Sequence, residues 1–285
     1  RVFAYEKSVD GMRQILWGLF KKMVIADNCA IYVNDVFANS GHSSGSTLLL
    51  GAFFFSIQIY GDFSGYSDIA IGTARLFGFD LRRNFALPYF SRDIAEFWRR
   101  WHISLSTWFR DYVYIPLGGS RCGTWMKIRN TFAIFVLSGL WHGANWTFIV
   151  WGILHALYFL PLLLMKKNRE NVGPIADGQL LPSAKEALQV TTTFILTSIA
   201  WVFFRAESVY QAIDYIKGIF TLSLFSFPDA LPYKTLLLLI AFIVAEWLQR
   251  DKQHVLQFDK GHLPKPVRRG LYYTIILAIY IFGGQ

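Results

Sequence analysis

The sequence predicts an all-α protein: a polytopic bundle of transmembrane helices with re-entrant and interfacial helices. Hydrophobic residues make up 54% of the 285 positions and charged residues only 16%, whereas soluble domains average about 25% charged residues. Many tryptophans and tyrosines stand at the ends of apolar runs, where their amphipathic rings favour the membrane interface. The composition therefore excludes an ordinary soluble domain.

Six mostly apolar runs are candidates for membrane helices, each of which needs about 20 residues. Several runs are shorter than that, and flanking residues or re-entrant packing against other helices would complete them. In chain order the runs are residues 47–60, 128–141, 146–165, 187–204, 232–248 and 271–282. Residues 168–183, which contain two glycines and two prolines, are the best candidate for a linker between spans.

The positive charges also point to a bilayer. The formal net charge is +9, but the cations flank apolar runs and do not gather on one polar segment, so we expect no nucleic-acid partner. Loops 118–129, 166–185 and 250–269 carry three, four and six Lys or Arg, against two in residues 205–230. The positive-inside rule then places the three richer loops in the cytoplasm.

Residues 93–118 mix charged and aromatic residues at helical spacing, which predicts one amphipathic helix at or near the membrane interface. Its apolar side chains fall within roughly 120° of arc, and Arg99 and Arg110 lie on the opposite, polar face. His102 is at the edge of the apolar stripe, one turn from Ser106. This histidine is either a participant in the chemistry or a solvated interfacial side chain.

His142 stands in an apolar region between Gly139 and Gly143, and an ionisable residue at membrane depth indicates function by default. An imidazole can accept the proton of a hydroxyl as that oxygen attacks an acyl carbonyl, and a thioester donor would need no enzyme nucleophile. Alternatively, His142 holds two helices together by hydrogen bonds. His155 lies roughly 220° further around an ideal helix, so we expect it to face elsewhere and to be structural.

Asp62 and Asp68 stand between apolar stretches, within residues 60–68. Two such carboxylates could form a proton relay, as in transporters. The interpretation we favour is that they cap a helix start or pair with Arg75 or Arg82, because clusters of Ser, Gly and Asp are typical of turns and caps.

Other familiar sites are missing from the sequence. Cys29 and Cys122 are far apart, without a second pair or a nearby histidine cluster, so we expect neither a disulfide framework nor a metal site. The sequence also has no G-x-S-x-G elbow, no phosphate-binding G-x-x-x-x-G-K-[ST] loop and no H-E-x-x-H helix. This argues against hydrolases, NTP-driven pumps and metalloproteases of those types.

Four segments of the sequence carry a family resemblance. They are YGDFSGYSDIAIGTARLFGF (60–79), NFALPYFSRDIAEFWRRWHISLSTWFRDYVYIPLGGSR (84–121), SGLWHGANWTFIVWG (138–152) and WVFFRA (201–206). They resemble the membrane-bound O-acyltransferase family, in the order that the family shows. The resemblance covers nearly all of the chain, and it implies a fold of many membrane helices around a common core. It also implies that His142 matches the family's near-invariant histidine and that His102 matches a second conserved histidine.

The resemblance implies an O-acyltransferase of the bacterial cytoplasmic (inner) membrane, with His142 and His102 as catalytic residues. The LGGSR stretch is closer to the polysaccharide O-acetylation branch than to the D-alanyl transfer branch. We therefore expect an acetyl group to pass from acetyl-CoA, a substrate and not a bound cofactor, to hydroxyls of an extracytoplasmic polysaccharide such as alginate. An extracytoplasmic acetyltransferase partner protein is also expected. The side chains expected to bind substrate are Arg99, Ser106, Arg110, Trp141 and Asn145.

Three alternatives remain at this point. One is D-alanyl or peptidoglycan acyl transfer within the same family. Another is a proton-coupled transporter, and a third is a scaffold that only anchors a secretion complex. We interpret residues 1–285 as a single membrane-embedded domain, a fragment that lacks the family's N-terminal helices and the extreme C-terminus.

Overall fold

The computed structural model describes residues 4–258 and 263–283, and all regular structure within them is helical. This confirms the all-α prediction. Two π-helical segments (Phe20–Ala26 and Arg110–Tyr114) and two 3₁₀ turns (Pro88–Phe90 and Leu222–Phe225) accompany the α-helices. In the described residues the α-helices are α1 (Tyr5–Leu19), α2 (Asp27–Ala38), α3 (Gly45–Leu76), α4 (Ile94–Arg100), α5 (Ile103–Phe109), α6 (Thr124–His142), α7 (Trp146–Leu164), α8 (Ala184–Arg205), α9 (Val209–Ile219), α10 (Tyr233–Leu248) and α11 (Lys265–Phe282).

Among the described residues, α3, α7 and α8 are long and apolar enough to cross a membrane. Helices α7 and α8 correspond closely to the predicted runs 146–165 and 187–204, because both are nearly continuous apolar stretches. The run 47–60 covers only the first half of α3, which is 32 residues long in total. Residues 165–183 between α7 and α8 form turns and irregular backbone, as the linker prediction requires.

The chain divides into two compact units. The first comprises Arg1–Asp35, Phe54–Asn84 and Ala230–Gln285, and the second comprises Val36–Phe53 and Phe85–Asp229. The second unit contains both candidate catalytic histidines. It also contains α4 to α9.

In the first unit, a buried charged pair joins the π-helical segment after α1 to α3. The Lys21 Nζ lies 2.7 Å from Asp68 Oδ2 and donates to Ser64 Oγ at 2.8 Å, while Gln14 Nε2 donates to Asp68 Oδ1 at 2.8 Å. A buried ion pair offsets its desolvation only when such additional hydrogen bonds satisfy both partners. The carboxylate of Asp68 is therefore held inside the helix packing.

This network corrects our interpretation of Asp62 and Asp68. Both lie inside α3 and not at a helix start. Asp62 pairs with Lys22, and Asp68 pairs with Lys21. The partners are thus lysines of the preceding helical segment, because that segment packs along α3, whereas Arg75 pairs with Asp10 at 2.5 Å.

In the second unit, α6 and α7 form a closely packed hairpin. A Cβ added at Gly139 would collide with the Phe148 carbonyl oxygen, and one added at Gly152 would collide with the Phe135 carbonyl oxygen. These two glycines let the helix backbones approach each other without intervening side chains. Helix α8 packs beside α7, and α4 packs against α7, which brings the two histidine-bearing segments into one unit.

Candidate active site

The segment predicted as one amphipathic helix is broken at His102. Helix α4 begins after Asp93, whose side chain accepts the Glu96 N–H at 2.7 Å, and it ends at Arg100. Trp101 is extended, and His102 takes the left-handed conformation (φ 43°, ψ 57°) before α5 starts. The prediction of a single helix over residues 93–118 is therefore wrong. Histidine is among the non-glycine residues enriched in the left-handed region.

His102 lies half-buried between two aromatic rings. The centroid of its imidazole is 6.2 Å from the Phe85 ring and 6.4 Å from the Trp141 ring, and Nδ1 lies 3.4 Å from Ser104 Oγ. Burial lowers the pKa of the His102 imidazole to about 4, because a low-dielectric environment disfavours the charged form. His102 is therefore neutral at pH 7.

His142 is the last residue of α6, and its ring is surrounded by aromatic side chains. The ring centroids of Trp141, Trp151 and Phe204 lie 5.0, 5.4 and 5.1 Å from that of the imidazole. His142 is half-exposed, and within the described part of the chain no side chain or backbone group hydrogen-bonds to its ring. Both ring nitrogens are thus available to a substrate, and Trp141 lies against both candidate histidines.

His155 is fully buried. Its ring centroid lies 5.0 Å from that of Trp151, whose ring also lies 5.4 Å from the His142 ring. The helical-wheel angle between the two histidines does not apply, because residues 143–145 are not helical and His142 and His155 belong to different helices of the hairpin. Sequence reasoning also missed the tryptophans of this cluster, Trp98, Trp151 and Trp201.

Three of the five side chains expected to bind substrate lie near the histidines. The Trp141 ring is exposed and contacts both imidazoles. Ser106 Oγ donates to the Trp101 carbonyl at 3.3 Å. Asn145 caps α7 by accepting the Thr147 N–H at 3.1 Å, and its amide donates to the Glu207 carbonyl at 3.0 Å. Ser106 and Asn145 therefore already have structural hydrogen bonds.

The two arginines of that set have different surroundings. The Arg99 guanidinium donates to the carbonyls of Asn168 and Asn171 at 2.9 and 2.7 Å, so it binds the linker between α7 and α8. Arg110 is exposed and forms an ion pair with the adjacent Asp111 at 2.7 Å. Arg99 thus has a structural partner, whereas the Arg110 side chain, within the part of the chain that the structure describes, is held by the surface pair with Asp111.

Comparison with known proteins finds a family that spans this part of the chain. Residues 11–204 match the model of MBOAT, the membrane-bound O-acyltransferase family, and this region includes both His102 and His142. The match covers more than half of the chain. The chain belongs to the membrane-bound O-acyltransferase family. It is therefore an integral membrane protein of a polytopic family, as the composition predicted.

Several family members are similar over most of this chain. A probable alginate O-acetylase of Pseudomonas putida is 42% identical over 214 residues, 74% of this chain and 41% of that protein. A peptidoglycan O-acetyltransferase of Helicobacter pylori is 39% identical over 201 residues, which are 70% of this chain and 37% of that protein. A teichoic acid D-alanyltransferase of Bacillus subtilis is 33% identical over 154 residues, which are 52% of this chain and 39% of that protein. The chain spans about two fifths of the length of these O-acyltransferases.

In this family member, an ion-pair network that the sequence analysis did not identify fixes α4. Glu96 is 2% exposed and lies 3.0 Å from Arg92 and 2.7 Å from Arg100. Arg92 also donates to the Gly173 carbonyl at 2.6 Å and lies 3.3 Å from Glu186 of α8. The i, i+4 spacing of opposite charges on both sides of Glu96 was the available signal. The network ties α4 to the linker and to α8.

Replacing Glu96 with alanine should strongly destabilise the protein, because two arginines would then lose their shared buried carboxylate. Removing one partner of a buried ion pair costs roughly 3–5 kcal/mol, and Glu96→Gln should recover only part of the loss. The measurement is the thermal unfolding of the full-length protein in detergent. The matched control is Asp214→Ala, which breaks a 3.4 Å ion pair with Lys217. The side chains of Lys217 and Asp214 are 73% and 74% exposed, so this pair lies on the surface. Equal unfolding temperatures for Glu96→Ala and Asp214→Ala would contradict the role of the network.

Proposed function

We propose that this chain is the catalytic part of an enzyme of the bacterial inner membrane that transfers acetyl groups from acetyl-CoA toward hydroxyls of an extracytoplasmic polysaccharide. The observation that carries the proposal is the half-exposed imidazole of His142, which no described group hydrogen-bonds, inside the region matched by the family. The names of the similar O-acetylating proteins, one for alginate and one for peptidoglycan, support acetyl as the group transferred and make alginate our first choice of acceptor.

In the proposed reaction, His142 is the general base. Its imidazole accepts the proton of the acceptor hydroxyl while the hydroxyl oxygen bonds to the acetyl carbonyl carbon. The carbon–sulfur bond of the thioester then breaks, and the thiolate takes the proton back from the imidazolium. An alcohol and a thioester thus become an ester and a thiol, with no enzyme nucleophile and no net proton release.

His102 is proposed as the second catalytic residue. As a neutral imidazole, with its pKa lowered to about 4 by burial, it can donate one hydrogen bond and accept another. Its contact with Trp141, which also touches His142, supports a role in orienting the reacting groups. We assign Trp141, Ser106 and Asn145 to substrate binding because they belong to the two segments that carry the histidines.

Arg99 and Arg110 are proposed to bind the anionic groups of the donor. A guanidinium presents a planar fork that suits phosphate oxygens, and both side chains are exposed. The acceptor hydroxyl belongs either to the polysaccharide or to an extracytoplasmic acetyltransferase partner that passes the group on. An acidic polysaccharide such as alginate would also be attracted to basic side chains.

The test is a transfer assay with the full-length protein in membrane vesicles supplied with radiolabelled acetyl-CoA. Label should accumulate as alkali-labile esters in polysaccharide or in a partner protein. In the same assay, Arg99→Lys and Arg110→Lys should raise the KM for acetyl-CoA, because Lys offers a point charge in place of the fork. An unchanged KM removes these arginines from the donor site.

Two results would overturn the proposal. Transfer of labelled D-alanine from its carrier thioester, with no transfer of acetyl, would assign the protein to teichoic acid modification. Solute or proton flux without any ester formation would assign it to transport.

A further inference from the structure

The most unusual side chain outside the proposed reaction is His155 of α7. It is fully buried, and the Phe97 ring lies parallel to it at 6.2 Å with an interplanar angle of 2°. A phenylalanine could fill the same place without the cost of burying a polar ring. Packing alone therefore does not explain why an imidazole is present.

One ring nitrogen of His155 has a specific partner. Trp98 Nε1 donates a hydrogen bond to His155 Nδ1 at 3.3 Å. An indole N–H only donates, so His155 Nδ1 is the acceptor and the proton of the neutral ring lies on Nε2. Within the described part of the chain Nε2 has no partner. Among the described residues, the one hydrogen bond that the His155 ring makes is thus the bond to Trp98.

This hydrogen bond joins the two segments that carry the proposed catalytic histidines. Trp98 belongs to α4, which ends two residues before His102. His155 belongs to α7, whose Trp151 contacts both the His155 ring and the His142 ring. A bond between α4 and α7 in a water-poor environment is stronger than the same bond in water. The Trp98–His155 bond therefore limits how far the segment that carries His102 can shift relative to Trp151, whose ring contacts His142.

We propose that His155 is a positioning residue for the transfer reaction, acting through Trp98 to hold His102 in register with His142. The inference rests on the proposed function, since it assumes that both histidines take part in transfer. His155 itself touches no reacting group. Its effect should appear in kcat, because the alignment of the reacting groups changes while the contacts that bind the donor remain.

The experiment compares full-length variants in the acetyl transfer assay. His155→Phe keeps a buried ring and removes the acceptor, and we expect kcat to fall roughly 10- to 100-fold, since small misplacements cost about that much. The KM for acetyl-CoA should change by less than about twofold. His155→Gln offers an amide oxygen to Trp98 and should recover part of kcat. The control is Phe159→Leu on α7. The Phe159 ring packs 6.2 Å from the ring of Phe135 on α6, so this variant alters the α6–α7 packing, and it should retain kcat.

A double-mutant cycle isolates the hydrogen bond. Trp98→Phe should lower kcat as His155→Phe does, and the double variant should be no worse than the poorer single variant. If His155→Phe does not reach the membrane, Trp98→Phe and His155→Gln decide the question. Wild-type kcat in Trp98→Phe, or multiplicative losses in the double variant, would overturn the inference. Full transfer by His142→Ala would instead overturn the proposed function.

Discussion

Replacing His142 with alanine in the full-length protein is expected to abolish acetyl transfer while membrane expression stays near the wild-type level. A positioned general base contributes typically 10²–10⁴-fold to the rate, and this ring has no described hydrogen bond whose loss would weaken the fold. His142→Gln keeps a polar side chain of similar length but cannot act as the base, so it should be equally inactive. Ester formation from labelled acetyl-CoA, normalised to the protein in the membrane, is the measurement.

The control for this experiment is Leu140→Ala, at an exposed position two residues earlier on α6. It removes apolar surface from the same helix end without touching the imidazole, and it should leave the rate unchanged. Wild-type transfer by His142→Ala would show that another group accepts the hydroxyl proton. Loss of His142→Ala and His142→Gln from the membrane, with Leu140→Ala still present, would instead support the structural interpretation of His142.

The helices were predictable from sequence where a long apolar run decides the structure by itself. Helix α7 differs from its predicted run by one residue, because a continuous apolar stretch has no competing local signal. Helix α3 was only half recognised, because Asp62, Gly65 and Asp68 are typical turn residues. Their helical conformation depends on tertiary partners, Lys22 and Lys21. Such partners are distant in sequence and cannot be read from one segment.

Sequence reasoning proposed the residues of the candidate site but could not give their geometry. The isolated position of His142 in an apolar region indicated function, but periodicity could not locate the backbone break at His102, since residues 93–118 contain an uninterrupted helical pattern. The break depends on a left-handed residue that is neither Gly nor Asn. For His155, the helical wheel assumed one continuous helix across residues 143–145, which are not helical. In both cases a local period was treated as a tertiary position.

The left-handed backbone of His102 allows its side-chain role to be separated from its backbone role. Glycine and asparagine enter this region readily, whereas alanine is strained there by roughly 1–2 kcal/mol. If His102 only shapes the turn between α4 and α5, His102→Gly and His102→Asn should remain active and His102→Ala alone should suffer.

We expect the other pattern. All three variants should lose transfer by about 10²-fold or more, because none of them offers an imidazole to the reacting groups. Only His102→Ala should also unfold at a lower temperature in detergent, since alanine is disfavoured at φ 43° relative to the histidine it replaces, whereas glycine and asparagine are not. Transfer rates and unfolding temperatures of the three variants, measured on the same preparations, therefore discriminate the two roles. Near-normal transfer by His102→Gly would remove His102 from the catalytic residues and leave it as the turn that starts α5.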